Sequence, residues 1–574
     1  MQNNNAQSTA HSETGPYQLF VMNHLSDIVC LRKRGSSLRA KPLPAVAGQR
    51  LLTDVRESNH VLTIIGLIVI SALLRLIMIG SQSLWLDEGI SLVMTDSKTI
   101  YGTFEAIWSV NGGDKYQPVY FGLLALWRSI TGDGQVTLQL FSVIFGALTP
   151  AVLYMSIKPL FGYRHALLSA LFFVFSAFCV NYSQEVRPYG FLLFLVTCQF
   201  LVFSPALTES LGSRIRVAGF AIVTFLCCIS SVFLLIFSAV IAVSFLICYR
   251  DIKLWMRWWG PATLGALPAV FYYAYTPAIA DLSTDAINTT NVEIWQNAVF
   301  ALYGHVAGHT YGPAVSALRI TDSVLVELTN YYLELIALVV VSGTLAINTL
   351  RAIAGSFDDN RRPSLHIFFV CVTALSLATA LTFAALTSIN WMSRHSFYLM
   401  LPLAVLVPMS IFKYRRDEGG NEWVQSLNRG SAVAFAGLLL INSFANSNYY
   451  FNIEHWRDDY RSAANYLNEH VDVEEGDASI MLWGEPYLLE YYGHADVEGL
   501  WPLEDAESLV SQIATTVEEN KEVFISINRE PSWQRYSETL HKLILESFDL
   551  VPAAYFNSFT IYKIEKHGQL RVAF

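Results

Sequence analysis

The stretch Ser81–Gly89, SQSLWLDEG, decides the fold, because it follows the first long apolar run of the chain. That run, Leu62–Ile79, is almost wholly apolar and is long enough to cross a bilayer core of about 30 Å. Asp87 and Glu88 therefore emerge at the membrane–water boundary, beside Trp85, an aromatic residue type that is enriched there. A carboxylate pair at this depth is unfavourable unless it is solvated or used, although exposed acids usually do no chemistry.

The composition indicates a polytopic α-helical membrane protein. The chain has 574 residues, of which 53% are hydrophobic and only 15% are charged. Apolar runs of about 17 residues or more recur along it, whereas a membrane β-barrel would show short alternating segments. The formal net charge of −10 argues against a nucleic-acid partner, because a phosphate-binding surface needs clustered Lys and Arg.

Polar and apolar residues divide the chain into three predicted regions. Residues 1–60 are polar and basic, so we expect a cytoplasmic tail. Residues 61–447 form a transmembrane module of about eleven helices by the hydropathy criterion. Residues 448–574 are charged and alternate between helix-like and strand-like patterns, which predicts an extracytoplasmic α/β domain. Its predicted elements are helices at 463–471, 506–516 and 537–547 and strands at 479–483, 522–527 and 559–563.

The topology depends on the run Val217–Cys248, about 32 residues or roughly 48 Å as a helix. It fits either one overlong tilted helix or two short helices that meet near Ser230 and Ser231. Two helices keep the later basic loops on the cytoplasmic side, as the positive-inside bias requires, so we predict two. The outer face then carries a first loop at 80–134, with two interfacial helices, and a long loop at 277–330.

This topology brings three separated segments to one face of the membrane. They are the pair Asp87 and Glu88, the loop SQEVRPY at Ser183–Tyr189, and the loop NWMSRH, which carries Arg394 and His395. Arginine suits a lipid phosphate because its planar fork donates two parallel hydrogen bonds, and a carboxylate near a hydroxyl can act as general base. The alternative is that each arginine contacts a membrane phosphate or a neighbouring acid.

These segments resemble the motifs of the GT-C superfamily of integral-membrane glycosyltransferases. LWLDEG from Leu84, YQPVYFGLLALW from Tyr116 and YSQEVRPYG from Tyr182 have the order and placement of motifs in that superfamily. The most similar branch contains the protein O-mannosyltransferases and the lipid A aminoarabinose transferase. HWRDDYRSAANYL, from His455, is similar to the start of the outer domain in many bacterial members. The resemblance covers roughly residues 61–450 in layout.

The resemblance implies transfer of a sugar from a polyprenyl-phosphate donor to a hydroxyl acceptor on the outer face. By this resemblance Asp87 is the general base, and Glu88 beside it is a second catalytic acid. Attack by the deprotonated hydroxyl in one displacement would invert the anomeric carbon. The donor-phosphate contacts carry over onto Arg187 and Arg394, with Tyr189 in the same Arg–Pro–Tyr element as Arg187.

Substrate-binding candidates are the residues that neighbour the acid and the arginines in these segments: Tyr116, Gln117, Glu185 and His395, with Tyr120 and Trp391 as further aromatic candidates. Gln117 stands where the family has a histidine before proline. The resemblance therefore does not predict the acceptor or phosphate contact that is assigned to that histidine. The aromatic residues qualify only by position, because membrane proteins place such rings at both interfaces anyway.

No metal or cofactor is predicted, although a divalent cation stays possible. Asp87 and Glu88 offer oxygen ligands for Mg²⁺ or Ca²⁺, but two carboxylates make a sparse site. His305 and His309, in HVAGH, have the i, i+4 spacing that suits zinc on a helix. Glycines beside both histidines weaken that helix, so solvated loop histidines are the simpler interpretation.

Two other functions fit the composition. A transporter or flippase of lipid-linked sugars places charges near mid-membrane and has an internal repeat, whereas here the charges cluster at the outer boundary and no convincing repeat is seen. A non-catalytic assembly subunit stays open because Gln117 departs from the family pattern. The predicted partners are a polyprenyl-phosphate donor, membrane lipids and an acceptor glycan, lipid or protein. The predicted location, by analogy with bacterial members, is a bacterial inner membrane.

Overall fold

The computed structural model describes residues 45–109, 113–208, 211–275, 294–320, 324–354, 365–387, 393–416, 423–482, 484–494, 496–500, 506–529 and 538–566. The chain divides after Leu62 into two compact units. Of the first unit the structure describes the start of helix α1 (Ala45–Leu76). All contacts given below lie within the second unit, Thr63–Phe574.

Helices make up most of the described chain before residue 460. After α1 they are α2 (Leu86–Met94), α3 (Ile100–Ser109), α4 (Pro118–Thr131), α5 (Gln135–Phe161), α6 (Tyr163–Phe175), α7 (Ala177–Ser183), α8 (Tyr189–Phe203), α9 (Arg214–Ser230), α10 (Val232–Tyr249), α11 (Ile252–Tyr275), α12 (Ile294–Ala307), α13 (Val315–Ile320), α14 (Val324–Thr329), α15 (Tyr332–Ala354), α16 (Leu365–Thr387), α17 (Met400–Met409) and α18 (Arg429–Phe451). Short 3₁₀ segments at Gly113–Tyr116 and Ser393–Leu399 belong to the site described below.

Six of the described helices are long and apolar enough to cross a membrane, and a seventh span results if the bent pair α6 and α7 counts as one. The six are α5, α8 with its 3₁₀ extension, α10, α15, α16 and α18. Each of the eleven predicted crossings coincides with a helix or a helix pair. The predicted number of about eleven is nevertheless not confirmed, because the remaining helices are too short or too polar by the same criterion.

The apolar run Val217–Cys248 forms two helices, as predicted. Helix α9 ends at Ser230 and α10 begins at Val232. Ser231 lies between them in an extended conformation, and its hydroxyl accepts a hydrogen bond from the Phe233 N–H at 3.2 Å. The serine pair therefore ends one helix and caps the next, because serine side chains bond readily to exposed N–H groups at a helix start.

A fully buried arginine stabilises the bend between α6 and α7. Arg75, the one charge of the first apolar run, donates to the hydroxyls of Ser71 at 2.7 Å and Ser183 at 3.1 Å. It also lies 3.4 Å from the carbonyl oxygens of Phe173 and Val174, in the last turn of α6. The two helices meet at 55°. Arg75 therefore supplies donors to carbonyls that the bend leaves without helical partners in apolar surroundings.

The C-terminal region contains a five-stranded mixed sheet in the order β4–β3–β5–β7–β6. Its strands are β3 (Ala478–Leu482), β4 (Val497–Leu500), β5 (Val523–Asn528), β6 (Phe548–Phe556) and β7 (Phe559–Lys566). Its helices are α19 (Tyr460–His470), α20 (Pro486–Tyr491), α21 (Ala506–Glu519) and α22 (Glu538–Ser547). Strand β3 pairs in parallel with β4 and β5, whereas β7 is antiparallel to β5 and β6.

The sheet bears out the predicted alternation of helix and strand. All three predicted helices and all three predicted strands occur within a few residues of their predicted bounds, and β4, β6 and α20 are additional. The central strand β5 is buried along its whole length, and Leu509 and Ile513 of α21 join its core cluster. A hairpin of β1 (Phe412–Arg416) and β2 (Trp423–Leu427) was not predicted.

The SQSLWLDEG stretch packs directly against the C-terminal region. A Cβ atom on Gly89 would lie 2.8 Å from the Leu488 side chain, so glycine lets α2 approach α20 closely. The Leu84 N–H donates to the Tyr492 hydroxyl at 2.8 Å. Arg461 of α19 donates to the Gly80 carbonyl at 2.9 Å. These contacts fix the start of α2, where the predicted acids lie.

Candidate functional site

Asp87 and Glu88 occupy the first turn of α2 but have different surroundings. The Asp87 side chain keeps 16% of its exposure, whereas that of Glu88 is fully buried. Consecutive helical residues point about 100° apart, since a turn takes 3.6 residues. The two acids therefore enter two separate clusters of charge, which we call the Asp87 cluster (Asp87, Arg187 and Arg394) and the Glu88 cluster (Glu88, Glu185 and Arg457).

In the Asp87 cluster, an acid from one segment meets arginines from two others. Arg394, from the 3₁₀ segment Ser393–Leu399, donates to the Asp87 carboxylate across a sequence separation of 307 residues. Arg187 donates to the Asp87 carbonyl oxygen at 2.8 Å and to the Ser91 hydroxyl at 3.2 Å. The three predicted segments thus converge, with Arg394 on the carboxylate and Arg187 on the main chain behind it.

Arg187 has a second carboxylate partner that the sequence did not suggest. Its other terminal nitrogen donates to Asp114 at 2.7 Å, within the 3₁₀ segment Gly113–Tyr116. Both side chains are largely buried. A charge-assisted pair of this length fixes the guanidinium firmly. Arg187 therefore joins the start of α2 to the segment that precedes α4.

The Glu88 cluster joins the start of α2 to the C-terminal region. Glu88 accepts from the Val186 N–H at 2.6 Å, from the Trp85 N–H at 3.3 Å and from Arg457 at 3.2 Å. Arg457 also donates to Glu185 at 3.0 Å. Both Glu88 oxygens are thus in use inside the protein, and neither reaches solvent. A catalytic role of Glu88 beside Asp87 stays a prediction; in this structure its carboxylate serves as a helix cap and an ion-pair partner.

Glu185 was predicted to bind substrate, but it is almost fully buried against Arg457. Arg457 has two further neutral partners, the Asn181 amide oxygen at 2.8 Å and the Tyr449 hydroxyl at 3.2 Å. This set of contacts surrounds the guanidinium on several sides. The arrangement makes Glu185 part of the contact between the loop after α7 and the C-terminal region, although its second carboxylate oxygen has no partner among the described residues.

The two clusters shift carboxyl pKa values in opposite directions. Burial alone would raise the pKa of Asp87, but the charges of Arg394 and Arg187 outweigh it and hold that pKa below its usual value. Burial raises the pKa of Glu185 to about 7 and also raises the pKa of Glu88, although Arg457 opposes both shifts. One guanidinium cannot compensate two buried carboxylates fully. At neutral pH, Asp87 is therefore ionised, whereas the Glu88 cluster retains a proton readily.

The C-terminal region adds two charged side chains beside Asp87. The guanidinium carbons of Arg394 and Arg529 lie 5.8 and 5.7 Å from the centre of the Trp85 ring, within the range of a cation–π contact. Arg529 is held by Asp458 at 2.7 Å. Burial, reinforced by the charge of Asp87, raises the pKa of Glu485 to about 7. The site is thus bounded on one side by the C-terminal region.

Several buried N–H donors around Asp87 have no acceptor within the part of the chain that the structure describes. They are Nε of Arg187, Nε of Arg394 and Nε1 of Trp85. Buried polar groups in folded proteins almost always have a partner, so each of these donors needs an explanation. Three donors directed from two arginines and an indole suit a ligand that is rich in acceptor oxygens.

The remaining predicted residues of these segments pack against aromatic rings. Tyr189 is buried, with its ring 5.0 Å from that of Tyr182. His395 stacks on Phe233 at 5.6 Å, and burial together with Arg394 lowers the pKa of His395 to about 3, so it is neutral. Trp391 lies outside the described residues.

The other three candidates lie just before α4 and in its first turn. Tyr116 is buried, and its ring lies 5.8 Å from that of Tyr273. Gln117 precedes Pro118 at the start of α4, and its amide oxygen has no partner among the described atoms. Tyr120 is fully buried, and its hydroxyl lies 3.2 Å from that of Ser142. The Gln117 amide oxygen is therefore a buried acceptor that lacks a donor within the described ranges.

The histidine pair is used within the protein. The imidazole of His305 lies 3.0 Å from the Ser396 carbonyl oxygen, and that of His309 lies 2.5 Å from the Ser393 hydroxyl. Both histidines therefore hold the 3₁₀ segment that carries Arg394, which corrects the interpretation as solvated loop residues. Within the described ranges, no group of three or more His, Cys, Asp or Glu side chains could hold a metal ion.

Comparison with known proteins gives one family match and a set of structural matches. Residues 115–272 match the family described as dolichyl-phosphate-mannose-protein mannosyltransferase. The matched segment contains Gln117, Glu185, Arg187 and Tyr189, and it begins after Asp87. No curated protein sequence matches the chain.

The solved structures include ArnT from Cupriavidus metallidurans. In complex with undecaprenyl phosphate, ArnT matches with a TM-score of 0.50 and 10% identity, over 88% of this chain and 97% of ArnT. In the apo state it matches with a TM-score of 0.51 and 9% identity, over 88% of this chain and 98% of ArnT. At such identities the likeness shows the fold alone. The chain thus has the GT-C fold, and this fold together with the family match confirms the resemblance to the GT-C superfamily of membrane glycosyltransferases.

Proposed function

We propose that the protein transfers a sugar from a polyprenyl-phosphate donor to a hydroxyl acceptor at the outer face of a membrane. The observation that carries the proposal is the contact between Asp87 and Arg394, which joins a partly exposed acid to an arginine 307 residues away. Two findings from known proteins support it. The matched family is named for a lipid-phosphate sugar donor, and the ArnT structure with the shared fold contains a polyprenyl phosphate.

The donor phosphate is assigned to Arg394, with Trp85 beside it. Their unpartnered N–H groups, together with Nε of Arg187, would donate to phosphate oxygens. Arg187 itself is already bound to Asp114 and to the main chain of Asp87. Its main role is therefore to fix the position of Asp87, whereas Arg394 stabilises the charge that develops on the departing lipid phosphate.

Asp87 is assigned as the general base. As the acceptor hydroxyl attacks the anomeric carbon, its proton passes to the Asp87 carboxylate and a new C–O bond forms. The bond between the anomeric carbon and the phosphate oxygen breaks, and the polyprenyl phosphate departs with the electron pair. A single displacement of this kind inverts the anomeric centre. The low pKa of Asp87 keeps the carboxylate ionised before the reaction.

Arg394 links donor binding to the basicity of Asp87. In the described arrangement its guanidinium is bound to the Asp87 carboxylate, which weakens that group as a base. A donor phosphate competes for the same guanidinium. Movement of Arg394 from carboxylate to phosphate would raise the pKa of Asp87 once the donor is in place, so the base becomes effective only when a sugar is ready for transfer.

The membrane placement belongs to the same proposal. We retain a cytoplasmic tail at 1–60, a transmembrane catalytic module at 61–447 and an outer domain at 448–574, in a bacterial inner membrane. Direct contact of Asp87 with Arg187 and of Glu88 with Arg457 supports placing their three segments on one face. A donor already in the bilayer suits such a site, because sugar nucleotides do not cross membranes.

The test is transfer by the purified full-length protein from polyprenyl phosphates that carry radiolabelled hexoses or pentoses. Asp87→Asn is expected to lower the transfer rate by about 10²- to 10⁴-fold, the range of general-base catalysis. Asp96→Asn is the matched control, because Asp96 is an exposed acid just after α2, and it should transfer normally. Near-normal transfer by Asp87→Asn would exclude Asp87 as the base. Transport of intact donor without sugar release would favour a flippase.

A further inference from the structure

A basic recess lies where α9 and α11 begin, apart from the Asp87 cluster. It has a volume of about 610 Å³, and it is lined by three cations, Arg214, Lys253 and Arg257, and by apolar side chains that include Val217, Met256 and Pro261. We propose that this recess binds the headgroup of an anionic phospholipid. The proposal does not depend on the transferase reaction.

The walls of the recess are held in place by the chain itself. Arg257 donates to the carbonyl oxygens of Leu211 and Gly212, the latter at 3.0 Å. Gly212 has a positive φ of 65°, and a Cβ there would lie 2.6 Å from the buried Trp258 ring. The loop before α9 is therefore fixed tightly on α11. A site whose groups are already ordered binds a ligand at a lower entropic cost.

The charge of the recess is uncompensated within the described residues. Neither Arg214 nor Lys253 forms an ion pair with a described acid. Asp251 stands nearby, but its carboxylate accepts from the N–H groups of Lys253 at 2.9 Å and Leu254 at 3.0 Å, as a helix cap. The positive ends of α9 and α11 add to the same potential. An anion is the complementary ligand.

Exposed apolar side chains beside the cations indicate a lipid rather than a soluble anion. Ile215 is 85% exposed, Met256 56% and Ile252 55%, and all three lie in the first turns of α9 and α11. Large apolar side chains at this exposure suit contact with acyl chains. The cations next to them then lie at the depth of the lipid headgroups. They can bind the lipid phosphate there while the apolar side chains contact the acyl chains.

The recess lies at the opposite end of α11 from the candidate site. At its far end, Tyr272 donates to the Lys115 carbonyl at 3.0 Å and Tyr273 lies 3.3 Å from that of Tyr116. Those residues follow Asp114, the partner of Arg187. A helix of 24 residues is roughly 36 Å long, more than a bilayer core of about 30 Å. We therefore assign the bound lipid to the leaflet opposite the Asp87 cluster. In the proposed topology this is the cytoplasmic leaflet, whose anionic lipids attract basic side chains.

The experiment measures lipids retained by the detergent-solubilised full-length protein, by native mass spectrometry, in equal mixtures of phosphatidylglycerol and phosphatidylcholine with the same acyl chains. The wild type should retain phosphatidylglycerol selectively. Arg214→Gln with Lys253→Gln should bind phosphatidylglycerol at least about tenfold more weakly, because each cation near a headgroup contributes to the affinity. Arg164→Gln with Arg429→Gln is the matched control, since both are exposed arginines at other helix starts; it should bind as the wild type does.

Three results would overturn the proposal. Equal retention of the two lipids by the wild type would show that the headgroup charge is not recognised. An equal loss in the control variant would indicate general surface attraction rather than a site. Displacement of phosphatidylglycerol by inorganic phosphate at the same concentration would show that the recess takes a free anion, for which the acyl chains are irrelevant. Protein folding is checked separately by thermal unfolding of each variant.

Discussion

The Asp87 cluster and the Glu88 cluster begin at consecutive residues of one helical turn, yet they differ in how far their side chains are exposed. Asp87 and Arg394 keep 16% and 20% of their side-chain exposure, whereas Glu88 has none and Glu185 has 5%. The Asp87 cluster also has N–H donors without acceptors among the described residues. In the Glu88 cluster, both oxygens of Glu88 accept hydrogen bonds. The comparison separates a cluster that suits a ligand from one that fixes the C-terminal region in place.

The largest expected effect comes from removing the cation of the Glu88 cluster. Arg457→Leu leaves two carboxyl groups buried without a counter-charge, so the free energy of unfolding should fall by about 3–5 kcal/mol. Chemical unfolding in detergent measures it. Lys521→Gln is the control, because it breaks an exposed ion pair to Glu475 and should change stability by less than about 1 kcal/mol.

A second variant sharpens this result. When Glu88 and Glu185 are both replaced by Gln, the additional cost of Arg457→Leu should become much smaller, because the buried acids no longer need the cation. If Arg457→Leu costs the same in both backgrounds, its contacts with the acids do not explain the stability, and the difference between the two clusters is not one of charge compensation.

Arg394 should have a smaller effect, and on ligand binding rather than on folding. Arg394→Gln is expected to weaken binding of polyprenyl phosphate by about 10- to 100-fold, since a charged hydrogen bond contributes about 1.5–3 kcal/mol. Arg394→Lys should recover part of the affinity, because it keeps the charge but not the fork. Arg164→Gln is the matched control. Unchanged affinity in Arg394→Gln would place the phosphate elsewhere.

The pH dependence of stability should show the opposite shifts of the two clusters. The pKa of Glu185 is about 7 in the fold against an ordinary value of 4.5, so the folded chain holds that proton longer than the unfolded one. Stability should therefore fall as pH rises from about 4.5 to about 7. Glu485 contributes in the same direction. Asp87, whose pKa is lowered, contributes in the opposite direction and only in the more acidic range, below its ordinary value.

Thermal unfolding between pH 4.5 and 8 tests this expectation. Glu185→Gln should remove part of this fall in stability, and Glu485→Gln a separate part. Asp87→Asn should make the fall shallower by a smaller amount, because the charge of Asp87 helps to raise the pKa of Glu485 and of Glu185. A decline that is as steep in both glutamine variants as in the wild type would mean that neither buried acid carries a raised pKa.

Much of the fold could be predicted because hydropathy and periodicity are local signals. The helix positions, the break at Ser230 and Ser231, and the alternation after residue 460 all follow from short windows of sequence. The convergence of Asp87, Arg187 and Arg394 followed from topology, because loops between spans fall alternately on two faces. The hairpin β1–β2 gave no such signal, since its strands are only five residues long and β2 lacks an alternating apolar pattern.

The roles of individual side chains in the site could not be predicted. Glu88 accepts from the Trp85 N–H at the start of α2, which is only half of a capping box because the indole of Trp85 has no acceptor, so the usual pattern of Ser or Thr three residues before Glu is absent. Arg457 reaches Glu88 across 369 residues, and a contact at that separation leaves no periodic trace in one sequence. The charged motif HWRDDY was the available signal, and it indicated only where a domain begins.

The most direct test of the central claim compares Asp87→Asn with Glu88→Gln, with sugar transfer expressed per folded molecule. We predict that Asp87→Asn folds, binds polyprenyl phosphate, and transfers about 10²- to 10⁴-fold more slowly. Glu88→Gln should be less stable but should transfer within about tenfold of the wild-type rate for each folded molecule. A folded Glu88→Gln protein without transfer, beside an active Asp87→Asn protein, would contradict the account.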